Sequence, residues 1–246
     1  MDSQVDQVHV SVVLPIHNEE EAISGVLDEL IAVLSDHLSS ESWTIVLSED
    51  GSRDQTRLVL ERYVATYPSN LTLLPESAER LGYSRAVVRG LREVSKGLVC
   101  TMDSDGQCDP RDLVAAWSRV SEGHRICVGY RSPRVDPLLR RMYSKLFKFV
   151  FQLLFSLRLR DPSCPVMSAA ASDIVSMNLE PVRLNFGFWW EFQARIQSLG
   201  LDVVEIPIRH RIREDGATRV YHVTKLPRIA ATHLIGLIKL KSDLKR

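Results

Sequence analysis

The chain has only four cysteines, and Cys100, Cys108, Cys127 and Cys164 show no CxxC spacing and no histidine at zinc-ligand spacing. A disulfide scaffold and a structural zinc site are excluded, and the thiols read as reduced core or loop residues. Nowhere do about 20 apolar residues run together, so no stretch reads as a transmembrane helix. The start, Met1-Asp2-Ser3-Gln4-Val5-Asp6, lacks the basic and then apolar stretch of a secretory leader. A cytoplasmic location is the resulting expectation. No RNP, zinc or helix-turn-helix signature is present, which argues against a nucleic-acid partner. Low-complexity linkers and solenoid-type repeats are also missing, so residues 1–246 are expected to form a single domain.

What is present suits a folded protein. Hydrophobic residues make up 45% and charged residues 25% of 246 positions, enough to bury a sizeable core. The formal net charge of zero hides a division. Residues 1–124 hold 21 acidic and 10 basic side chains, and residues 125–246 hold 10 acidic and 21 basic. A basic second half suits an anionic partner such as a membrane or a phosphorylated substrate, or else a solvated basic face.

The first half alternates β-branched runs with stretches of helical spacing. Strands are expected at 8–14, 43–47, 71–74 and 98–102, and helices at 22–34, 54–65 and 83–96. A further strand is expected near 125–129 and another at 201–208, with helices at 138–158 and 224–241. Such alternation implies an α/β fold with a mainly parallel sheet, whose ligands bind beyond the carboxyl ends of the strands.

The polar clusters follow those strands. Asp103-Ser104-Asp105 stands after the apolar run Leu98-Val99-Cys100-Thr101-Met102. Two like-charged carboxylates repel, and a hard divalent cation relieves the repulsion while bridging to diphosphate oxygens. Asp103, Asp105 and Gln107 are the expected ligands, and Mg²⁺ or Mn²⁺ the expected ion. The competing reading is a turn ahead of a helix capped by Asp109-Pro110. Pro15-Ile16-His17-Asn18-Glu19-Glu20 follows the first strand and Ser48-Glu49-Asp50-Gly51-Ser52-Arg53-Asp54 the second.

These blocks, with Gly82, Ala86 and Gly90 in the next helix, resemble the nucleotide-binding half of family 2 glycosyltransferases. The resemblance implies a GT-A (Rossmann-like) fold and inversion of configuration at the sugar. It places Pro15, His17, Glu19, Glu49, Asp50, Asp103 and Ser104 around a nucleoside-diphosphate sugar, either a GDP- or a UDP-sugar. Glu49 stands where the family usually has Asp. Further on, Gly129-Tyr130-Arg131, Asp161-Pro162-Ser163-Cys164-Pro165 and Arg213-Glu214-Asp215-Gly216-Ala217-Thr218-Arg219 resemble blocks of the dolichyl/polyprenyl-phosphate mannose synthase group. Cys164 and Pro165 depart from that pattern, whereas Thr218 and Arg219 are conservative changes. By this resemblance residues 1–124 form the nucleotide-sugar half and 125–223 the acceptor half, and a hexose, mannose or glucose, is moved to a polyprenyl phosphate. Arg131, Arg213 and Arg219 are the cations expected at the donor diphosphate and the acceptor phosphate.

A phosphate monoester acceptor is already ionised near neutral pH and needs no base. A hydroxyl acceptor does need one. Glu191, in Gly187-Phe188-Trp189-Trp190-Glu191, is the acid available for that second reading, a soluble glycosyltransferase acting on a glycan or small molecule. A third reading is a non-catalytic binding module. Two basic segments favour a membrane surface. Residues 131–160 hold eight basic side chains against Asp136 alone, and residues 225–246 hold six against Asp243. Helices there are expected to lie peripherally on the cytoplasmic membrane face.

Overall fold

The structure, a computed structural model, describes residues 8–77, 79–132, 138–156, 158–184, 187–211 and 226–244. Its first half repeats strand and helix: β1 (Val10–Ile16), α1 (Ile23–His37), β2 (Trp43–Glu49), α2 (Thr56–Thr66), β3 (Leu71–Leu73), α3 (Tyr83–Arg92) and β4 (Leu98–Thr101). The second half continues with α4 (Arg111–Ser121), β5 (Ile126–Arg131), α5 (Leu138–Phe155), β6 (Met167–Ala170), α6 (Ala171–Ser176), α7 (Phe188–Ser198), β7 (Val203–Ile208) and α8 (Leu226–Asp243).

The strands form one sheet in the order β3-β2-β1-β4-β6-β5-β7. Only β6 runs against its neighbours; every other pairing is parallel. Every residue of β1 is buried, as expected of a central parallel strand covered on both faces. Alternate residues part to opposite sides. Val12 and Leu14 join the core beneath α1 and α4 with Leu27, Leu30, Leu113 and Trp117. Val13 joins the core on the other face with Val87, Val99, Phe188 and Phe192. In α1 the residues Ile23, Val26, Leu27, Leu30, Ile31 and Leu34 are buried, which is the stripe that a 3.6-residue period presents to a sheet.

A third cluster, with Phe151, Phe155, Leu184, Trp190, Leu237 and Leu240, ties α5, α7 and α8 together. A large side chain as fully buried as Phe151 contributes about 1.5–3 kcal/mol. The close approach of α3 to β1 depends on Gly90, where a Cβ atom would lie 2.4 Å from Val13 Cγ1.

The expected strands and helices of the first half recur with shifts of a few residues at their ends. Four elements, α4, β6, α6 and α7, were not among the expected strands and helices. β6 and α6 had no counterpart, because Met-Ser-Ala-Ala has neither alternation nor β-branched bulk. Its strand character comes from pairing between β4 and β5. The stretch expected to lie on a membrane surface is partly core. Along α5, Phe151 and Phe155 are buried, while Met142, Leu146, Phe149 and Leu153 are exposed on the other side. Among the described residues no helix is long and apolar enough to cross a membrane.

Candidate active site

Pairing fixes where the polar clusters emerge. Ile16 lies opposite Glu49, and Val13 opposite Thr101, so β1, β2 and β4 end at the same edge of the sheet. β5 and β7 run the same way, with Arg131 opposite Ile208. The segments after all five strands therefore gather at the carboxyl edge.

The loops after β1 and β2 are laced to each other. Asp50 N donates to Ile16 O at 2.9 Å. Asn18 N donates to Ser52 Oγ at 2.9 Å, and Arg53 N to Asn18 Oδ1 at 2.7 Å. Glu19 N donates to Thr56 Oγ1 at 2.8 Å. His17 is set in this lattice with its Nδ1 buried and lacking a hydrogen-bond partner among the described residues. Burial, aided by the charge of Arg80, lowers the His17 pKa, so the imidazole is neutral near pH 7 and suited to hydrogen bonding rather than ion pairing.

Glu49 and Asp50 are almost wholly buried. Glu49 Oε1 accepts from Ser52 N at 2.5 Å, and Oε2 lies 3.4 Å from Arg57 Nη1. Asp50 accepts from Leu81 N at 2.6 Å and from Gly82 N at 2.9 Å, one oxygen each. Gly82, at φ +84°, adopts a conformation that only glycine takes without strain. Asp50 thereby positions the first turn of α3.

The Asp103-Ser104-Asp105 run is held from three sides. Ser104 Oγ donates to Pro15 O at 2.8 Å, binding it to the end of β1. Gln107 N donates to Asp105 Oδ1 at 3.1 Å, closing a turn through Gly106 at φ +76°. Tyr83 Oη donates to Asp103 Oδ1 at 2.6 Å and accepts from Trp189 Nε1 at 2.7 Å. Burial, reinforced by the neighbouring charge of Asp105, pushes the Asp103 carboxyl up to about 7. Two hard-oxygen carboxylates crowded at the ligand edge of the sheet, one of them short of compensating charge, fit a divalent cation of the Mg²⁺ or Mn²⁺ type. Among the described residues no group of three or more His, Cys, Asp or Glu is arranged as a closed metal site. Gln107 Nε2 is committed to Arg211 O at 3.2 Å.

Arg131 reaches the site as a held cation. Its Nε and Nη2 donate to the two oxygens of Asp161 at 2.6 and 3.0 Å, and Nη2 also to Ser163 Oγ at 2.6 Å. The Gly-Tyr-Arg and Asp-Pro-Ser blocks, about 30 residues apart in sequence, thus meet as one buried fork. Its positive charge acts on Asp103 as well.

Asp109, beyond the metal run, caps α4 by accepting from Arg111 N at 3.0 Å. The capping reading therefore holds for Asp109, two residues past Gln107, and leaves Asp103 and Asp105 to the site. Asp109 also binds Arg111, Arg209 and Arg211. Burial alone would raise its pKa, but these guanidiniums outweigh burial and hold it well below the usual carboxylate range. Arg211, which also pairs with Glu29 at 2.6 Å, donates from its backbone to Gln107 O at 2.9 Å. Arg213 and Arg219 lie outside the described residues.

Glu191, the acid named for the hydroxyl-acceptor reading, is held on every side. It is 1% exposed. Its Oε2 accepts from the backbone nitrogens of Arg183 and Leu184 at 2.7 and 2.9 Å, and Oε1 pairs with Arg195 Nη2 at 2.6 Å. Two residues along a helix turn the side chain by about 200°, so Glu191 points away from the side on which Trp189 meets Tyr83. Tyr83 and Trp189 were not anticipated as site residues. The only local signal was the glycine before Tyr83.

Residues 11–172 match the sequence profile of glycosyl transferase family 2. An undecaprenyl-phosphate 4-deoxy-4-formamido-L-arabinose transferase of Edwardsiella ictaluri is 27% identical over 217 residues, 88% of this chain and 64% of that protein. A dodecaprenyl-phosphate galacturonate synthase of Rhizobium johnstonii is 27% identical over 230 residues, 92% of this chain and 65% of that protein. The chain thus spans just under two thirds of the length of these relatives. Among solved structures, glucosyl-3-phosphoglycerate synthase of Mycobacterium tuberculosis, in complex with Mn²⁺, UDP and phosphoglyceric acid, matches with a TM-score of 0.71 at 18% identity. That match covers 96% of this chain and 79% of the other. The shared fold is GT-A.

Proposed function

The chain belongs to glycosyl transferase family 2, and from that premise we propose that it is a glycosyltransferase that moves a sugar from a nucleoside-diphosphate donor to a polyprenyl phosphate at the cytoplasmic face of a membrane. Both relatives described above carry a polyprenyl phosphate in their names. The observation that carries the acceptor assignment is Glu191. Its two oxygens are engaged by backbone N–H groups and Arg195, which weighs against the base role that the hydroxyl-acceptor reading gives it. A phosphate monoester brings its own ionised nucleophile.

In this reading the laced loops after β1 and β2 hold the nucleoside, with His17, Glu19, Glu49 and Asp50 facing base and ribose. Asp103 and Asp105 hold the divalent cation, and Gln107 is the further oxygen donor proposed beside them. When bound, the cation would neutralise the departing diphosphate. Arg131, fixed by Asp161, adds a positive charge that needs no reorganisation as negative charge develops. Arg213 and Arg219 are proposed for the acceptor phosphate. In-line attack on the anomeric carbon inverts its configuration.

The exposed stripe Met142, Leu146, Phe149 and Leu153 on α5, with Leu234, Ile235 and Ile238 on α8, supports an interfacial seat. Nearby lysines add about 1 kcal/mol each against an anionic leaflet.

Incubation with Mn²⁺, a short polyprenyl phosphate and a panel of sugar nucleotides tests the proposal through release of nucleoside diphosphate. The panel needs a pentose derivative and a uronic acid beside UDP- and GDP-hexoses. Release that requires the lipid phosphate and stops with EDTA or Asp105→Asn is expected. Release that persists in EDTA would remove the metal from the account.

A further inference from the structure

In its ionised form, which a metal ligand must adopt, the Asp103 carboxylate is oriented by a hydrogen-bond chain whose polarity cannot reverse. Trp189 Nε1 is a donor only, and it donates to Tyr83 Oη at 2.7 Å. A phenol has a single proton. With its oxygen accepting from the indole, Tyr83 sends that proton to Asp103 Oδ1, 2.6 Å away. Oδ1 is thus fixed as the acceptor, and the rotation of the carboxylate with it. Both ends of the chain are anchored. Tyr83 opens α3, whose start is pinned by Asp50 through Leu81 N and Gly82 N, while Trp189 packs edge-on against Phe188 and Phe192 in the core of the other half.

We propose that Tyr83 is a positioning residue, which, with its polarity set by Trp189, turns Asp103 toward the divalent cation. This rests on the metal reading of the Asp103 and Asp105 pair. Removing such an outer partner of a metal-ligating carboxylate typically weakens metal binding by about 10–100-fold.

The test measures binding, not turnover. Free Mn²⁺ is followed by electron paramagnetic resonance as the metal-free protein is titrated in the presence of UDP and, separately, of GDP. Tyr83→Phe is expected to weaken Mn²⁺ affinity by roughly 10-fold or more, and Trp189→Phe to shift it in the same direction by less. Tyr63→Phe supplies the control, because Tyr63 Oη donates to Asp28 Oδ1 at 2.7 Å between α2 and α1 and to none of the proposed metal ligands. That variant loses an equivalent bond and is expected to leave Mn²⁺ affinity unchanged. Should Tyr83→Phe fail to fold, Trp189→Phe carries the same comparison. Mn²⁺ affinity within twofold of the unaltered protein in both variants, while Asp105→Asn abolishes binding, would overturn the inference and leave the metal reading intact. No Mn²⁺ binding by the unaltered protein would overturn both.

Discussion

Replacing Glu191 by glutamine separates a structural acid from a catalytic one. The side chain accepts two backbone N–H bonds from Arg183 and Leu184 and pairs with Arg195, whose Nη1 and Nη2 also hold Asn178 O and Pro181 O. Glutamine keeps one acceptor oxygen. Its NH₂ group must then face either the backbone nitrogens or the guanidinium, and both are donors. Breaking a buried ion pair by removing one partner costs about 3–5 kcal/mol, and the remaining oxygen offsets part of that. A loss of about 3 kcal/mol is therefore expected. In a domain of this size 1 kcal/mol moves Tm by about 2–4 °C, so thermal unfolding followed by circular dichroism should show a drop of roughly 6–12 °C. Turnover by the folded fraction, measured well below that transition, should stay within about threefold. A hydroxyl route with Glu191 as base requires the reverse pattern, on the order of 10²-fold slower turnover at nearly unchanged Tm. That outcome would refute the reasoning.

Other perturbations read other parts of the structure. Asp161→Ala strands the buried Arg131 guanidinium and should cost about 3–5 kcal/mol. In a double-mutant cycle with Arg131→Met the two losses should be strongly non-additive in urea unfolding. Gly90→Ala drives a methyl group into Val13 and Ser48 and should destabilise by about 1–3 kcal/mol. His233 is buried with Nε2 unpartnered among the described residues, and burial lowers its pKa. The folded state therefore binds fewer protons than the unfolded one just below the ordinary histidine pKa of about 6.5, and stability should fall as pH drops through that value. His233→Leu should flatten part of the Tm profile between about pH 7.5 and 5.5. Phe149→Glu combined with Leu153→Glu should abolish sedimentation with anionic liposomes at low salt while leaving Tm unchanged, since both side chains are exposed.

The first half of the fold was legible because its signals are local. Runs such as Val-Ser-Val-Val-Leu carry their strand character in β-branched bulk, and parallel topology then delivers every following cluster to one edge. That places the clusters holding His17, Glu49, Asp50, Asp103 and Asp105 at one edge; the roles proposed for His17, Glu49 and Asp50 came from the family resemblance. The remainder depends on partners distant in sequence. Tyr83 and Trp189 are 106 residues apart, and nothing near either names the other. β6 is a strand because two neighbours make it one. Glu191 was legible as an acid in a first helical turn, and the Arg195 four residues on was the available sign of an ion pair. That the loop at Arg183 and Leu184 folds back to use its other oxygen is a tertiary fact. The basic, apolar character of α5 was plain in the sequence, but its division into a buried and an exposed face required α7 and α8 to be in place.

The central claim is the acceptor, and the product decides it. After incubation with Mn²⁺, the active donor and a short polyprenyl phosphate, the lipid fraction is analysed by mass spectrometry and phosphorus NMR. The account predicts a phosphodiester joining the sugar's anomeric carbon to the lipid phosphate, with inverted configuration. A phosphate monoester left unmodified while a sugar hydroxyl in the same mixture becomes glycosylated would contradict it.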